Sequence, residues 1–597
     1  MSQSFEPVNN VLLVAITRLG DLLQASPTIM GLKEEHPNAK VTVAVDRQFA
    51  EICRGIPGID EVYEVDLTFV VRCINRGGEG LLDAYHYTEK ILAELRGRNF
   101  DFCLNISSSG YTAILVKLLG IPNSHGWVSD DEGYRLITNP WTVLFAAFVF
   151  HANRDYNSIN LVDIVRCSAG VRKHPLRLHY AIPEEARHFP DTVLRESNLR
   201  GSGPLVCIQV GASQDKRQWE PEKFAQLTNR LVTELDARII FTGSAKERPL
   251  VDEVLRHFSH ANVYNAAGET KLDHLAAVLE RADLLITGDT GPMHLAIAVG
   301  TPVVALFLAS ALCFETGPYS AGNIVLQPQV ACNPCNPNFP CARPDCHEQV
   351  SPEQVFRMAK LRLAHTAESI LEVEVTNDVA DPREVVVYVS KFDEDGFLEF
   401  KRINGPAHYH GEQTDFYETV RAVYRELWKQ EFGAKLMPTE PIASKSTGQR
   451  LSVLDSRLDA LGEMIALAAQ GISAIDRLIA VIRNVHAAPA ELGVMNRAIG
   501  EIDNKIEELG LSNPVFGALT RVFIMERSNI RGEDPVFLAS KAKELYEQLA
   551  RRSEKFKRLY WEYYSSNGAT HPVPSVLGTS RAHERTNEVF HDYRPDR

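Results

Sequence analysis

The chain has 597 residues, a formal net charge of −14, 45% hydrophobic residues and 23% charged residues. Such a length predicts several domains with sizeable cores, and such a composition an ordinary soluble protein. The acidic balance argues against general nucleic-acid binding, which needs a broad basic face, and leaves room for a local basic groove that takes a phosphorylated substrate.

The opening segment, Met1 to Pro7, lacks a basic stretch followed by an apolar core, so no signal peptide is expected. Val11 to Ile16 reads as a first strand running into Thr17-Arg18-Leu19-Gly20-Asp21, with a helix from about Leu22. Val41–Val45 and Asp101–Ile106 read as further strands, and helical periodicity fills the gaps at Tyr87–Leu95 and Thr112–Leu119. The longest apolar run, Trp141 to Phe150, is too short to span a bilayer and reads as a core helix. Around 181–203 the pattern breaks into a charged helix and Gly201-Ser202-Gly203-Pro204, a domain boundary. A second alternating unit then begins with strands at Leu205–Val210 and Arg238–Phe241. Strands alternating with helices predict parallel sheets with ligands at the strand C-terminal ends. The expected α/β architecture is two doubly wound Rossmann-like domains, 1–185 and 200–365, facing a cleft.

Within the second unit, the apolar run Asp283–Ile286 leads into Thr287-Gly288-Asp289-Thr290-Gly291-Pro292-Met293-His294, then a helix and a strand at Pro302–Phe307. A strand, a Gly-rich turn and a helix start gather backbone N–H groups and the positive end of a helix dipole around one point, an arrangement suited to a phosphate. The plainer alternative is a strand–helix turn capped by Asp289 or Thr290.

From about 375 the character changes. Segment 380–440 reads as a small α+β piece, with a hairpin across Asp393–Gly396 and a helix from Thr414 to Phe432, and 436–449 as a linker. A heptad seam follows through Leu451, Leu454, Leu458, Leu461, Ile465, Ala468, Ile472, Ile475, Ile479 and Ile482, on the order of 50 Å of helix. Met495–Leu509 and Leu538–Tyr563 repeat the spacing, so 450–565 reads as a helical bundle. Self-association of copies through these helices, as a homo-oligomeric coiled coil, is the sharper alternative. Residues 566–597 are polar and aperiodic and read as a disordered tail.

Of the ten cysteines, six stand singly in apolar surroundings, as buried thiols of a reducing compartment do. The other four, Cys332, Cys335, Cys341 and Cys346, fall within fifteen residues of a Pro-rich loop and can close a tetrahedral site for structural zinc or iron. Free thiols and disulfides are the other readings.

Four stretches carry a resemblance. RLGDLLQASPTI at 18–29, GASQDKRQW at 211–219, FTGSAKE at 241–247 and GDTGPMHLAIAVGTPVVALF at 288–307 resemble glycosyltransferase family 9, the ADP-heptose:lipopolysaccharide heptosyltransferases of GT-B fold. The likeness spans 10–360. It implies inverting transfer of a heptose or related sugar from ADP-heptose to a lipopolysaccharide core or other surface glycan, with no cofactor needed for the chemistry. Asp21 would be the base that takes the acceptor proton, with helix capping as its other reading. Lys216, Ser213, Asp289, Thr290, Gly291 and His294 would hold the donor's sugar-linked diphosphate, Glu247 the ribose hydroxyls, and Arg18 an acceptor phosphate. Two departures stand out. Asn105-Ile106-Ser107-Ser108-Ser109 replaces the family's acid and glutamine, and Leu308-Ala309-Ser310 replaces Gly-Pro-Thr. The first motivates a protein acceptor as the rival reading. A non-enzymatic GT-B assembly scaffold is the third. A cytoplasmic location is expected, with a peripheral position at the inner face of the cytoplasmic membrane as its variant.

Overall fold

The computed structural model describes all residues except 1–7, 17, 150, 198, 200–201, 258–261, 342–343, 377–379, 382–383, 405–412, 434–457, 485–488 and 567–597. The expected linker at 436–449 and all but the first residue of the expected tail therefore lie outside the described residues. By internal contacts the chain divides into two units, one of residues 1–135 and 159–409 and one of 136–158 and 410–597.

The first unit holds both sheets, apart from residues 136–137 of β6, which fall in the second. One contains β1 (Asn10–Ala15), β2 (Lys40–Asp46), β3 (Glu61–Val65), β4 (Phe102–Asn105), β5 (Asn123–Ser129) and the short β6 (Arg135–Ile137), in the order β3-β2-β1-β4-β5-β6. The other contains β7 (Leu205–Gln209), β8 (Arg238–Thr242), β9 (Val263–Asn265), β10 (Leu284–Gly288), β11 (Val303–Leu306), β12 (Ile324–Pro328), β13 (Val385–Phe392) and β14 (Leu398–Arg402). Its order is β14-β13-β12-β11-β10-β7-β8-β9. β1 to β5, and β7 to β12, pair in parallel. β1, β4, β7 and β10 are almost wholly buried apolar runs, because helices cover both faces of a parallel sheet. Each sheet reverses its winding once, between β1 and β4 and between β7 and β10. Open α/β sheets bind ligands at the C-terminal edge of that reversal. The Arg18–Asp21 turn follows β1, Asn105–Ser109 follows β4, Gly211–Trp219 follows β7 and the Gly-rich turn follows β10, so these four stretches stand at such points, while FTGSAKE lies at the end of β8, one strand away.

The segment read as a separate α+β piece at 380–440 divides differently. The hairpin forms, but β13 pairs antiparallel with β12 and so extends the second sheet. Its backbone finds a ready ladder on the edge of β12, which a free hairpin would lack. The hairpin also docks on the Leu161–Ser168 helix. The buried Asp163 carboxylate accepts from Arg166 Nε at 2.8 Å, the Tyr319 hydroxyl at 2.9 Å and the Leu398 N–H at 3.0 Å. The Arg166 guanidinium lies 4.2 Å over the Phe397 ring. Burial, reinforced by the Asp163 charge, holds the Tyr319 hydroxyl well above the ordinary phenol range, so it acts as a donor.

The Gln413–Glu431 helix and residues 136–158, assigned from sequence to the α+β piece and to the first lobe, belong to the second, helical unit. There the Pro140–Phe148 helix is the buried core helix its apolar run predicts. Its Phe148 meets Tyr424 edge-on, with ring centroids 5.7 Å apart. Among the described residues the unit has four further helices of eight residues or more, Asp459–Arg483, Pro489–Ser512, Gly517–Ser528 and Pro535–Ser566. Arg552, buried, ties three of its helices together. It donates to Glu526 at 2.7 and 3.0 Å and to Glu431 at 3.3 Å.

The seam of the Asp459–Arg483 helix is rotated from the predicted one. Leu461, Ala468 and Ile475 are buried as expected, but Met464, Gly471 and Leu478 are buried where Ile465, Ile472 and Ile479 were expected. The cause is Gly471: a Cβ there would lie 2.3 Å from the Tyr546 ring, so the Pro535–Ser566 helix crosses closely on that side. Among the described residues this helix alone has the length and composition to cross a membrane, and a third of its apolar window is buried in the bundle.

Candidate functional site

The site is built where the first turns of two helices meet. After β1, Leu19–Gln24 forms a short helix; after β10, Gly291–Val299 forms another, with Thr290 at its N-cap. The two abut at their starts. A Cβ on Gly20 would meet the His294 ring at 3.0 Å, and one on Gly291 would meet the Leu19 side chain at 3.0 Å. Glycine at both positions lets the turn bearing Asp21 lie directly against the turn bearing Asp289 to His294.

Asp21 is half-buried at the third position of its helix, and its Oδ2 accepts the Arg18 N–H at 3.2 Å. The capping role is thus realised, and Arg18 itself is exposed at the N-cap. His294 is buried. Its Nε2 lies 3.5 Å from Gln24 Nε2, and its Nδ1 has no partner among the described residues. Burial pulls the imidazole below its ordinary range against the opposing charge of Asp289, so it enters the site neutral. Thr290 Oγ1 is 3.0 Å from Thr287 Oγ1, which fixes the hydroxyl at the helix start.

The cation at this turn is Arg217, a residue that the sequence reading missed. Its Nη1 lies 3.2 Å from Asp289 Oδ2 and its Nε donates to Ser310 Oγ at 2.8 Å. The neighbouring Lys216 is directed elsewhere: Nζ donates to the carbonyls of Asn336 at 2.8 Å, Pro337 at 3.2 Å and Phe339 at 2.7 Å. Both stand in one short 3-10 turn, Asp215–Arg217, so adjacent side chains leave in different directions and spacing alone does not say which faces the Gly-rich turn. Ser310 belongs to the Leu308-Ala309-Ser310 departure, and its hydroxyl supplies Arg217's second anchor. Ala309 has φ of 54°, a left-handed conformation that costs a non-glycine residue on the order of 1 kcal/mol or more.

Glu247 closes the β8 side. Its Oε1 accepts from Gln209 Nε2 at 3.0 Å, and its Oε2 from the Ser244 N–H at 2.6 Å and the Ser244 hydroxyl at 2.8 Å. Gln209 in turn accepts from Thr242 at 3.0 Å, so the carboxylate is oriented by two strand ends. Ser213 is exposed on the loop after β7. At the end of β4 Asn105 is wholly buried and structural: its amide donates to the Trp127 carbonyl at 2.7 Å and its oxygen accepts the Ser107 N–H at 3.0 Å. Arg135 donates to the Ser108 carbonyl at 2.6 Å.

The four clustered cysteines share one neighbourhood. Cys346 is buried, Cys335 half-buried, and Cys332 and Cys341 exposed. Burial first, and then the charges of the other three, push the Cys346 thiol up to about 11. The loop is fastened beside the Arg217 turn by the Cys335 N–H, which donates to the Ala309 carbonyl at 3.0 Å, and by the Lys216 bonds. The adjacent His347 is turned away, its Nε2 donating to the Lys216 carbonyl at 2.9 Å. Among the described residues no group of three or more His, Cys, Asp or Glu side chains is arranged to hold an ion. As placed, the thiols do not form a closed four-thiolate set, and no chemical step is derived through a metal.

Residues 88–340 match the family model of glycosyltransferase family 9 (heptosyltransferase). The chain is 26% identical over 297 residues to lipopolysaccharide heptosyltransferase 3 of Escherichia coli K12, covering 49% of this chain and 80% of that one. It is 24% identical over 319 residues to the lipopolysaccharide core heptosyltransferase OpsX of Haemophilus influenzae, covering 53% and 83%. Among solved structures it is similar to the glycosyl transferase family 9 protein of Veillonella parvula, at 20% identity and TM-score 0.48, over 60% of this chain and 99% of that one.

Proposed function

We propose, from the match of residues 88–340 to the glycosyltransferase family 9 model, that the chain is a glycosyltransferase that moves a heptose or related sugar from ADP-heptose to a lipopolysaccharide core or other surface glycan. The displacement is single and inverting. The acceptor oxygen attacks the anomeric carbon, the bond to the diphosphate breaks, and ADP leaves with the bonding electrons. Asp21 takes the acceptor proton. The N–H groups of Thr290 to His294 and the helix dipole receive the departing diphosphate, with Arg217 as its cation. Arg217 spends Nε and Nη1 on Ser310 and Asp289, which leaves its second Nη for a ligand oxygen. Glu247 meets the ribose hydroxyls and Arg18 an acceptor phosphate. The observation that carries this reading is the contact of Gly20 with His294, which sets the base-bearing turn against the phosphate-binding turn.

Incubating the purified chain with ADP-heptose and deacylated lipopolysaccharide core, and separately with candidate protein acceptors, tests it. Label on the glycan is expected. Label on protein alone would favour the second reading, a protein acceptor, which the Asn105–Ser109 departure and the added helical unit support. Absence of label on both would sink the proposal.

Arg217→Ala should raise the Kd for ADP-heptose about 10- to 100-fold, the loss of a charge-assisted bond to phosphate. Lys216→Ala, which removes only the carbonyl contacts to 336–339, should raise it several-fold less. Isothermal titration of both variants decides; a larger loss from Lys216→Ala would return the cation role to that lysine.

We also propose that Cys332, Cys335, Cys341 and Cys346 take a structural zinc or iron once drawn together, clipping the loop that holds Lys216. Elemental analysis should find about one such ion per chain, reduced to background in Cys332→Ser/Cys341→Ser. Metal-free wild-type protein with unchanged thermal stability on adding zinc or ferrous iron would remove the idea. The reaction is placed in the cytoplasm, at the inner face of the membrane.

A further inference from the structure

Between β3 and β4 the first sheet carries a helical hairpin, Leu67–Arg76 and Glu79–Arg96, joined at Gly77-Gly78. Its inner face is ordinary core: Val70, Cys73, Ala84, Ile91 and Leu95 are buried. Its outer face at the turn is not. Val71, Ile74, Leu81, Leu82 and Tyr85 are each between 52% and 60% exposed. Five large apolar side chains from the last turns of one helix and the first turns of the next therefore cluster at one tip. Isolated exposed apolar residues need no explanation, but a contiguous group does.

The hairpin is stapled. Asp66 caps the first helix through the Phe69 N–H at 2.8 Å, and the Asp66 N–H donates to the Tyr87 hydroxyl at 2.7 Å. Phe69 and Tyr87 meet edge-on at 5.1 Å, and Arg76 and Asp83 pair across the two helices at 2.8 Å. These contacts also fix its direction. Asp66 sits just past the C-terminal end of β3, and Tyr87 lies beside it. Residues beyond Tyr87 return along the strands, since Tyr63 of β3 donates to Glu94 at 2.7 Å. The ten residues from Leu67 to Arg76 thus project past the C-terminal edge of the sheet, and at 1.5 Å per residue the tip stands about 15 Å beyond it. The Arg18–Asp21 turn leaves from that same edge, after β1.

We infer that this tip is a membrane-docking finger, with a lipid surface as its occupant. A second copy of the chain is a poor match, because five side chains fall far short of the roughly 20–30 residues a side of a stable protein interface. A narrow apolar tip suits insertion at the depth of the headgroup–acyl boundary. Its charges balance, Arg72 and Arg76 against Glu79 and Asp83, so attachment rests on apolar insertion and not on attraction to anionic lipid. The direction of the finger gives it a use: a lipid-linked acceptor held at the bilayer reaches Asp21 from the side on which the tip projects. That use rests on the proposed transfer; the vesicle binding itself does not.

Flotation of the full chain with phosphatidylethanolamine–phosphatidylglycerol vesicles and with phosphatidylcholine vesicles tests it. Wild type is expected to float with both, equally at 0.1 and 0.5 M salt. Leu81→Asp/Leu82→Asp, and separately Ile74→Asp, should lower the bound fraction at least ten-fold while transfer to deacylated, soluble core stays at the wild-type rate. Val494→Asp, an exposed apolar site of the helical unit, should float as wild type does. Wild type that stays in the pellet with both vesicles, binding abolished by salt, tip variants that float unchanged, or light scattering that shows the tip variants converting a dimer to a monomer would each overturn the finger. Vesicle binding without transfer to any acceptor would instead sink the transfer reading and leave the finger standing.

Discussion

Asp21→Asn is expected to lower kcat for sugar transfer by about 10²–10⁴-fold, the range a positioned general base contributes, with the Kd for ADP-heptose within a factor of two of wild type. Asparagine is the informative replacement. Its side-chain oxygen still accepts the Arg18 N–H that Asp21 accepts at 3.2 Å, so the helix start after β1 survives while the proton acceptor is lost. Alanine would remove both, and the lost cap adds a destabilisation of about 1 kcal/mol that confuses the result. Gly20 packs on His294 one residue before Asp21, so a disturbed helix start would also show as weakened donor binding. Single-turnover kinetics beside calorimetric donor titration separates the two effects. An asparagine variant that turns over at the wild-type rate would show that another group takes the proton.

The second large effect is on stability. Asp163→Ala should destabilise the first unit by about 3–5 kcal/mol, the cost of leaving a buried guanidinium without its carboxylate. The side chains of Asp163 and Arg166 are 0% and 3% exposed. Removing the carboxylate strands Arg166 and also leaves the Tyr319 hydroxyl and the Leu398 N–H without their acceptor. The loss should appear as a drop of several degrees in the thermal unfolding transition of the first unit. Asp163→Asn keeps one acceptor oxygen and should lose less. The charge-removing double variant Asp163→Asn/Arg166→Met should recover part of the deficit, because a buried pair replaced as a whole no longer leaves an unpaired ion. Equal losses for Asp163→Ala and the double variant would mean that the network contributes through shape alone.

The parallel sheets were legible because β1, β4, β7 and β10 are buried on both faces and so read as continuous apolar runs. The Gly-rich turn after β10 was legible because a strand–turn–helix junction of this kind draws on glycine and hydroxyl residues at fixed local offsets. Those are short-range demands, and chain order expresses them. Less could be read at 380–440. The hairpin's alternation was visible, but nothing in its residues states that the open edge of β12 lies within reach. The seam of the Asp459–Arg483 helix shows the same limit: spacing gave the period, while the facing Tyr546 ring at Gly471 chose which half of each heptad is buried.

By itself, then, the amino-acid order determined two doubly wound sheets, the motif turns at their strand ends, and a long apolar helix near the C-terminus, since each depends on residues within a turn or two of one another. Only the tertiary structure decided which of two adjacent cations, Lys216 or Arg217, stands at the Gly-rich turn, that Ser310 anchors it, and that Asp163 binds the hairpin of β13 and β14. The physical reason is common to all three. Where a side chain points is settled by partners about 70 to 240 residues away, and their approach is set by how sheets and helices pack, which no local pattern records.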